Sequence, residues 1–157
     1  MVRFILIGWF FADIDELINF PFNPLDADVT LFQEILFTTP IYVMAYLFWF
    51  RVLRTYRFSH REAIFTGGLS LGFVEMCSAG INPMILFGIF IVPFIIMIHG
   101  FHMFMPKLAL SDELEASAQK DTRWNYAAGI FLPIIGAIIG IIIAFLLALL
   151  LQILGML

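Results

Sequence analysis

An all-α, polytopic integral membrane bundle of about five transmembrane helices is the fold class this sequence predicts, on three observations. Hydrophobic residues make up 62% of the 157 and charged residues only 13%, whereas soluble domains run to about 45–50% apolar and about 25% charged. Everything from Trp124 to Leu157 lacks Asp, Glu, Lys, Arg and His, a stretch longer than the roughly 20 residues a helix needs to cross a bilayer. Finally, a five-span threading puts all eight Lys and Arg residues on one side, as the positive-inside rule requires of the cytoplasmic face.

The first segment is continuously apolar only from Phe4 to Ala12, after which come Asp13, Asp15 and Glu16. A cleaved secretory signal is one reading, but Phe10 stands where cleavage after Ala12 wants a small residue. The other reading is a tilted span over about 3–19 with its acidic end at the far interface. A second span, 31–50, is interrupted by Thr38-Thr39-Pro40. The proline lacks an N–H and should kink the helix, with threonine hydroxyls answering the freed carbonyls.

Residues 63–106 as a single helix would be about 65 Å long, twice a bilayer. The break falls at Gly80-Ile81-Asn82-Pro83, a turn signal that gives spans over about 62–79 and 84–104. Ser59-His60-Arg61-Glu62 reads as a capping box opening the first of these. The segment 111–120 reads as a short cytoplasmic surface helix, with Ser111 as cap and acids in its first turn. A last span covers about 126–155, bent at Pro133.

With the N-terminus in the cytoplasm, Arg3, Arg51, Arg54, Arg57, Arg61, Lys107, Lys120 and Arg123 all lie inside and the C-terminus lies outside. The expected location is thus the cell membrane, multi-pass. Trp49, Tyr56, Trp124 and Tyr126 then fall near the inner interface, as an aromatic belt would.

The chain also reads as an internal duplication. One constant offset lays Glu16, Asn23 and Pro24 on Glu75, Asn82 and Pro83, with Ile5 on Ile64 and Gly8 on Gly67. A slightly smaller offset lays Phe37, Pro40, Met44 and Phe48 on Phe90, Pro93, Met97 and Phe101, and Arg54 on Lys107. The expected architecture is a parallel two-helix tandem repeat, about 3–54 and about 62–107, followed by the surface helix and one extra span. No linker divides this 2+2+1 arrangement, which forms a single membrane domain.

Several side chains carry candidate chemistry. Glu75 shares a helix face with Gly68, Gly72, Ala79 and Asn82, a small and polar stripe of the kind that faces other helices. Glu34 heads a second such stripe with Thr38, Tyr42 and Ala45. Carboxylates in spans are costly unless paired or neutralised, so Glu16, Glu75 and Glu34, with Asn23 and Asn82 above them, form a candidate cation or proton site. The bland alternative is that each glutamate reaches interfacial water. If the repeat holds, Glu16 and Glu75 approach the pseudo-twofold axis from opposite sides.

His99 and His102 share a face on the inner half of the fourth span, at a depth where no intramembrane carboxylate is expected, and read as ordinary hydrogen-bonded histidines. Arg51, Arg54, Arg57 and Arg61 recur at helical spacing and form a candidate contact for anionic lipid, unless they only set topology. Gly136, Gly140, Ala144 and Ala148 repeat every four residues and make a helix-packing groove, to be met within the fold or by a second copy.

A net charge of −4 argues against nucleic acid. A lone cysteine, Cys77, excludes an intrachain disulfide and a cysteine zinc site. The sequence holds no P-loop, GxGxxG, HExxH or DxxD motif, and neither a metal nor a cofactor is expected.

The leading functional expectation is a non-catalytic subunit or assembly element, partnered by membrane lipids and by copies of itself or other membrane subunits. A small transporter or permeation module using Glu16 and Glu75 is the alternative. A membrane enzyme acting on lipid or isoprenoid substrates, with Arg54 or the histidines near the head groups, comes third.

Overall fold

A computed structural model describes residues 1–19, 30–78, 88–118 and 124–156, which form six helices and no strand. They are α1 (Val2–Asn19), α2 (Leu31–Thr55), α3 (His60–Ser78), α4 (Gly88–Ala109), α5 (Ser111–Ser117) and α6 (Trp124–Ile153). The turns expected around Asn23-Pro24 and Asn82-Pro83, and the basic residues Lys120 and Arg123, lie outside the described residues.

Three of these helices, not five, are long and apolar enough to cross a membrane: Leu31–Thr55, Val92–Ala109 and Trp124–Ile153. They mark a membrane protein. The shortfall has a compositional cause. α1 carries Arg3, Asp13, Asp15 and Glu16, while α3 opens on His60-Arg61-Glu62, carries Glu75 in its last turns and is diluted by Thr66, Gly67, Gly68, Ser70 and Gly72. Each is nevertheless about 27 Å long at 1.5 Å per residue, close to the thickness of a hydrocarbon core.

Local chemistry fixes the helix starts. At α3, Ser59 N–H donates to Glu62 Oε2 at 2.7 Å while Glu62 N–H donates to Ser59 Oγ at 3.3 Å, the reciprocal pattern of a capping box. α2 opens on a second box, with Thr30 N–H donating to Gln33 Oε1 at 2.8 Å and Gln33 N–H to Thr30 Oγ1 at 3.3 Å. Ser111 does not cap α5 as expected. The cap position is Leu110, with no side-chain cap bond, and Ser111 Oγ donates to Asp112 instead.

α2 runs unbroken through Pro40. The threonines beside it are engaged otherwise than anticipated, because Thr38 Oγ1 donates to Glu34 O at 3.0 Å and Thr39 Oγ1 accepts from Trp9 Nε1 at 3.1 Å. Thr39 therefore ties α2 to α1.

The helices pack as antiparallel neighbours. Phe4 meets Phe50 at 5.3 Å between ring centroids, and a Cβ at Gly8 would lie 2.6 Å from the Tyr46 ring, so α1 descends as α2 climbs. α3 and α4 approach more closely: a Cβ on Gly68 would strike the backbone carbonyl of Ile96, and one on Gly100 the carbonyl of Ile64. α6 lies antiparallel to α2. A Cβ at Gly136 would fall 2.6 Å from Met44 O, and one at Gly140 2.5 Å from Pro40 O. The groove of Gly136, Gly140 and Ala144 is occupied by α2 of the same chain, with Ala148 half-buried at its end. Such backbone approach gains van der Waals contact that any larger side chain would forfeit.

This threading gathers every described basic residue at one end of the bundle. Arg3 starts α1 beside the end of α2, Arg51 and Arg54 finish α2, Arg57 and Arg61 flank the start of α3, and Lys107 closes α4. The core at that end is aromatic. Trp49 is fully buried and its Nε1 donates to Met103 O at 2.9 Å, so it belongs to the core and not to the interfacial belt expected of it. Trp124 and Tyr126 are exposed.

Candidate functional site

Glu75 meets His99 across the α3–α4 interface, its Oε2 hydrogen-bonded to the imidazole Nε2. The histidine side chain is 4% exposed and the glutamate 47%, so the carboxylate sits where the helix pair opens to its surroundings while the imidazole is enclosed. His102 is buried one turn further along α4, its ring 5.7 Å from that of His99 and nearly perpendicular to it.

The pairing overturns the expectation that no intramembrane carboxylate lies at the depth of these histidines. The physical reason is side-chain direction. Cα–Cβ bonds tilt toward the N-terminus of their own helix, so in an antiparallel pair Glu75 and His99 lean toward one another. Gly72 lets α3 settle on α4 beside them, since a Cβ there would lie only 3.1 Å from Ile95 Cγ2.

The α1–α2 pair holds a second carboxylate. Tyr42 OH donates to Glu16 Oε1 at 2.8 Å, and Tyr42 stacks on Tyr46 at 6.4 Å. α1 also packs on α4, and this joins the two halves. Asp15, Glu34 and Glu75 all lie within electrostatic reach of Glu16, and Asp15 within reach of His102. The structure thus brings Glu16, Glu34 and Glu75 into one acidic neighbourhood. Asn23 and Asn82 lie outside the described residues.

Four buried polar atoms in this region have no hydrogen-bond partner among the described residues: Asp13 Oδ1, Tyr46 OH, His99 Nδ1 and His102 Nδ1. Leaving such an atom unsatisfied costs about 1–3 kcal/mol, and clustering them concentrates that cost in one place. Asp13 and Tyr46 were not singled out from the sequence. Tyr46 lies four residues beyond Tyr42 on the buried face of α2, and that spacing is the signal that could have found it. Among the described residues no group of three or more His, Cys, Asp or Glu side chains is arranged to hold a metal ion.

No protein-family model, curated protein or solved structure matches the chain. Chemistry must therefore be read from the side chains alone.

The four arginines do not form one stripe. α2 ends at Thr55 and α3 begins at His60, so Arg51 and Arg54 stand on one helix, Arg57 in the connection and Arg61 on the next. Arg54 covers the Phe50 ring at 5.8 Å. Arg57 Nε donates to Ala118 O at 3.3 Å. All four are exposed.

Proposed function

We propose that this protein is a small membrane transporter or permeation module that moves protons, or a cation in exchange for protons, through the Glu75–His99–His102 array. The observation that carries the reading is the contact between a half-open carboxylate and an enclosed imidazole backed by a second one. A carboxylate and an imidazole can pass a proton between them, and chains of Asp, Glu and His inside membranes mark proton or ion pathways. The unpartnered Nδ1 atoms of both histidines supply sites for the onward transfer. Glu16, held by Tyr42 within electrostatic reach of Glu75, supplies a second negative charge that favours a cation between them.

In this reading α1 and α3 cross the membrane alongside the three apolar spans, making five. The basic end faces the cytoplasm by the positive-inside rule, and the α1–α2 and α3–α4 hairpins descend from one duplicated unit. An assembly role through the α6 groove has less support, because α2 of the same chain occupies it; a partner subunit would need another face.

The test is reconstitution into proteoliposomes with a trapped pH-sensitive dye. Native protein is expected to dissipate an imposed proton gradient, with or without a driving cation, and His99→Gln to slow it at least tenfold. Gradient decay no faster than in protein-free vesicles, for every monovalent and divalent cation tried, would remove the proposal.

A further inference from the structure

The basic end of the bundle holds a cavity of about 390 Å³ that the proton array does not use. Its walls come from the end of α2, the connection to α3, the end of α4 and the underside of α5, with Leu53, Tyr56, Arg57, Lys107, Leu114 and Glu115 among the lining residues. Lys107 is the unusual member. It is 3% exposed, and its ammonium has a single hydrogen-bond partner among the described residues, His60 Nδ1 at 3.4 Å. No carboxylate stands within ion-pair distance of it among the described residues. Glu115, an exposed residue that also lines the cavity, is near enough only for a weaker through-space attraction.

A buried cation is normally paired. Here the fold instead builds a chamber around it and fixes a second cation at the rim. Arg57 is held in place from two sides, its Nε donating to Ala118 O at 3.3 Å and its own carbonyl accepting from Asn125 Nδ2 at 3.5 Å. The remaining guanidinium donors stay free to form a fork toward an oxyanion. Leu53, Tyr56 and Leu114 give the chamber an apolar side.

We infer that this cavity is a binding site for a phosphate-bearing anion, which Lys107 neutralises from within and Arg57 clamps at the mouth. The chemistry is shared by two sources, the head group of an acidic phospholipid in the adjoining leaflet and a free phosphate or phosphomonoester from the aqueous side.

Thermal unfolding of the purified full chain in mild detergent separates them. Saturating phosphatidylglycerol in mixed micelles, compared with phosphatidylcholine, is expected to raise Tm by about 5 °C; a rise with inorganic phosphate and none with phosphatidylglycerol assigns the site to a soluble anion. In either case Arg57→Gln, at an exposed position, should remove most of the shift. Lys107→Gln should do the same wherever it folds, and Arg51→Gln, outside the cavity, should keep it. No shift with either probe, or a shift undiminished in Arg57→Gln or equally lost in Arg51→Gln, overturns the assignment.

Discussion

The α1–α2 and α3–α4 hairpins share a plan and differ in how tightly they close. Both are antiparallel, both carry a glutamate late in the first helix, and both bond it to a ring on the second. In α3–α4 the glycines Gly68 and Gly100 set backbone against backbone, and Glu75 reaches an imidazole. In α1–α2 the corresponding contact is Gly8 against the Tyr46 ring, and Glu16 receives a phenol. The comparison teaches that spacing selects chemistry. A phenol, with an unperturbed pKa near 10, holds a carboxylate in place without readily exchanging its proton near neutrality, whereas an imidazole can both hold and exchange.

The largest effect should come from forcing the tighter pair apart. Gly100→Leu has no room beside Ile64 and is expected to destabilise the protein by about 3 kcal/mol or more, read as early thermal unfolding or aggregation on size exclusion. Gly8→Ala presses on a ring, not on backbone, and should cost about half as much. Equal losses would erase the distinction between the hairpins.

Flux offers the next contrast. Glu75→Gln should lower proton flux in proteoliposomes at least tenfold, while Glu16→Gln, which can still accept from Tyr42, should lower it about threefold. A reversed order would transfer the proposed pathway to the first hairpin.

Smaller still, Tyr42→Phe removes the phenol donor and should cost about 1 kcal/mol in thermal or denaturant unfolding while leaving flux within twofold. Least of all, Thr30→Ala and Ser59→Ala each delete one capping box, at about 0.5–1 kcal/mol. The two should be similar because both boxes are exposed, and an effect on flux from either would mean that the helix ends gate the site.

Much of the helical plan was legible in advance because it depends on local pattern. Charge-free length marked α6, the four-residue repeat of Gly136, Gly140 and Ala144 marked a contact face, and Ser59 with Glu62 marked the start of α3. What resisted was anything set by the relative height of two helices. Counting along each helix placed Glu75 and His99 at different depths, and only their opposed side-chain tilt closes the gap. Trp49 looked interfacial for the same reason, since α6 and α4 enclose it at a level that sequence distance does not reveal. The span count came out lower where polar residues serve packing and pairing inside the bundle, as Glu75 and Gly72 do in α3.

The seat of Gly140 against Pro40 sets an order of events during synthesis. α2 leaves the ribosome long before α6, which follows every other described helix, so the backbone face of α2 from Pro40 to Met44 must wait in lipid while α3, α4 and α5 emerge. The bundle closes like a book whose back cover is bound last. A chain halted anywhere before Trp124 would present that bare face, together with the underside of Trp49, to quality-control proteases, so abundance in the cell should fall steeply with any truncation that removes α6 even though most of the polar array has already been made.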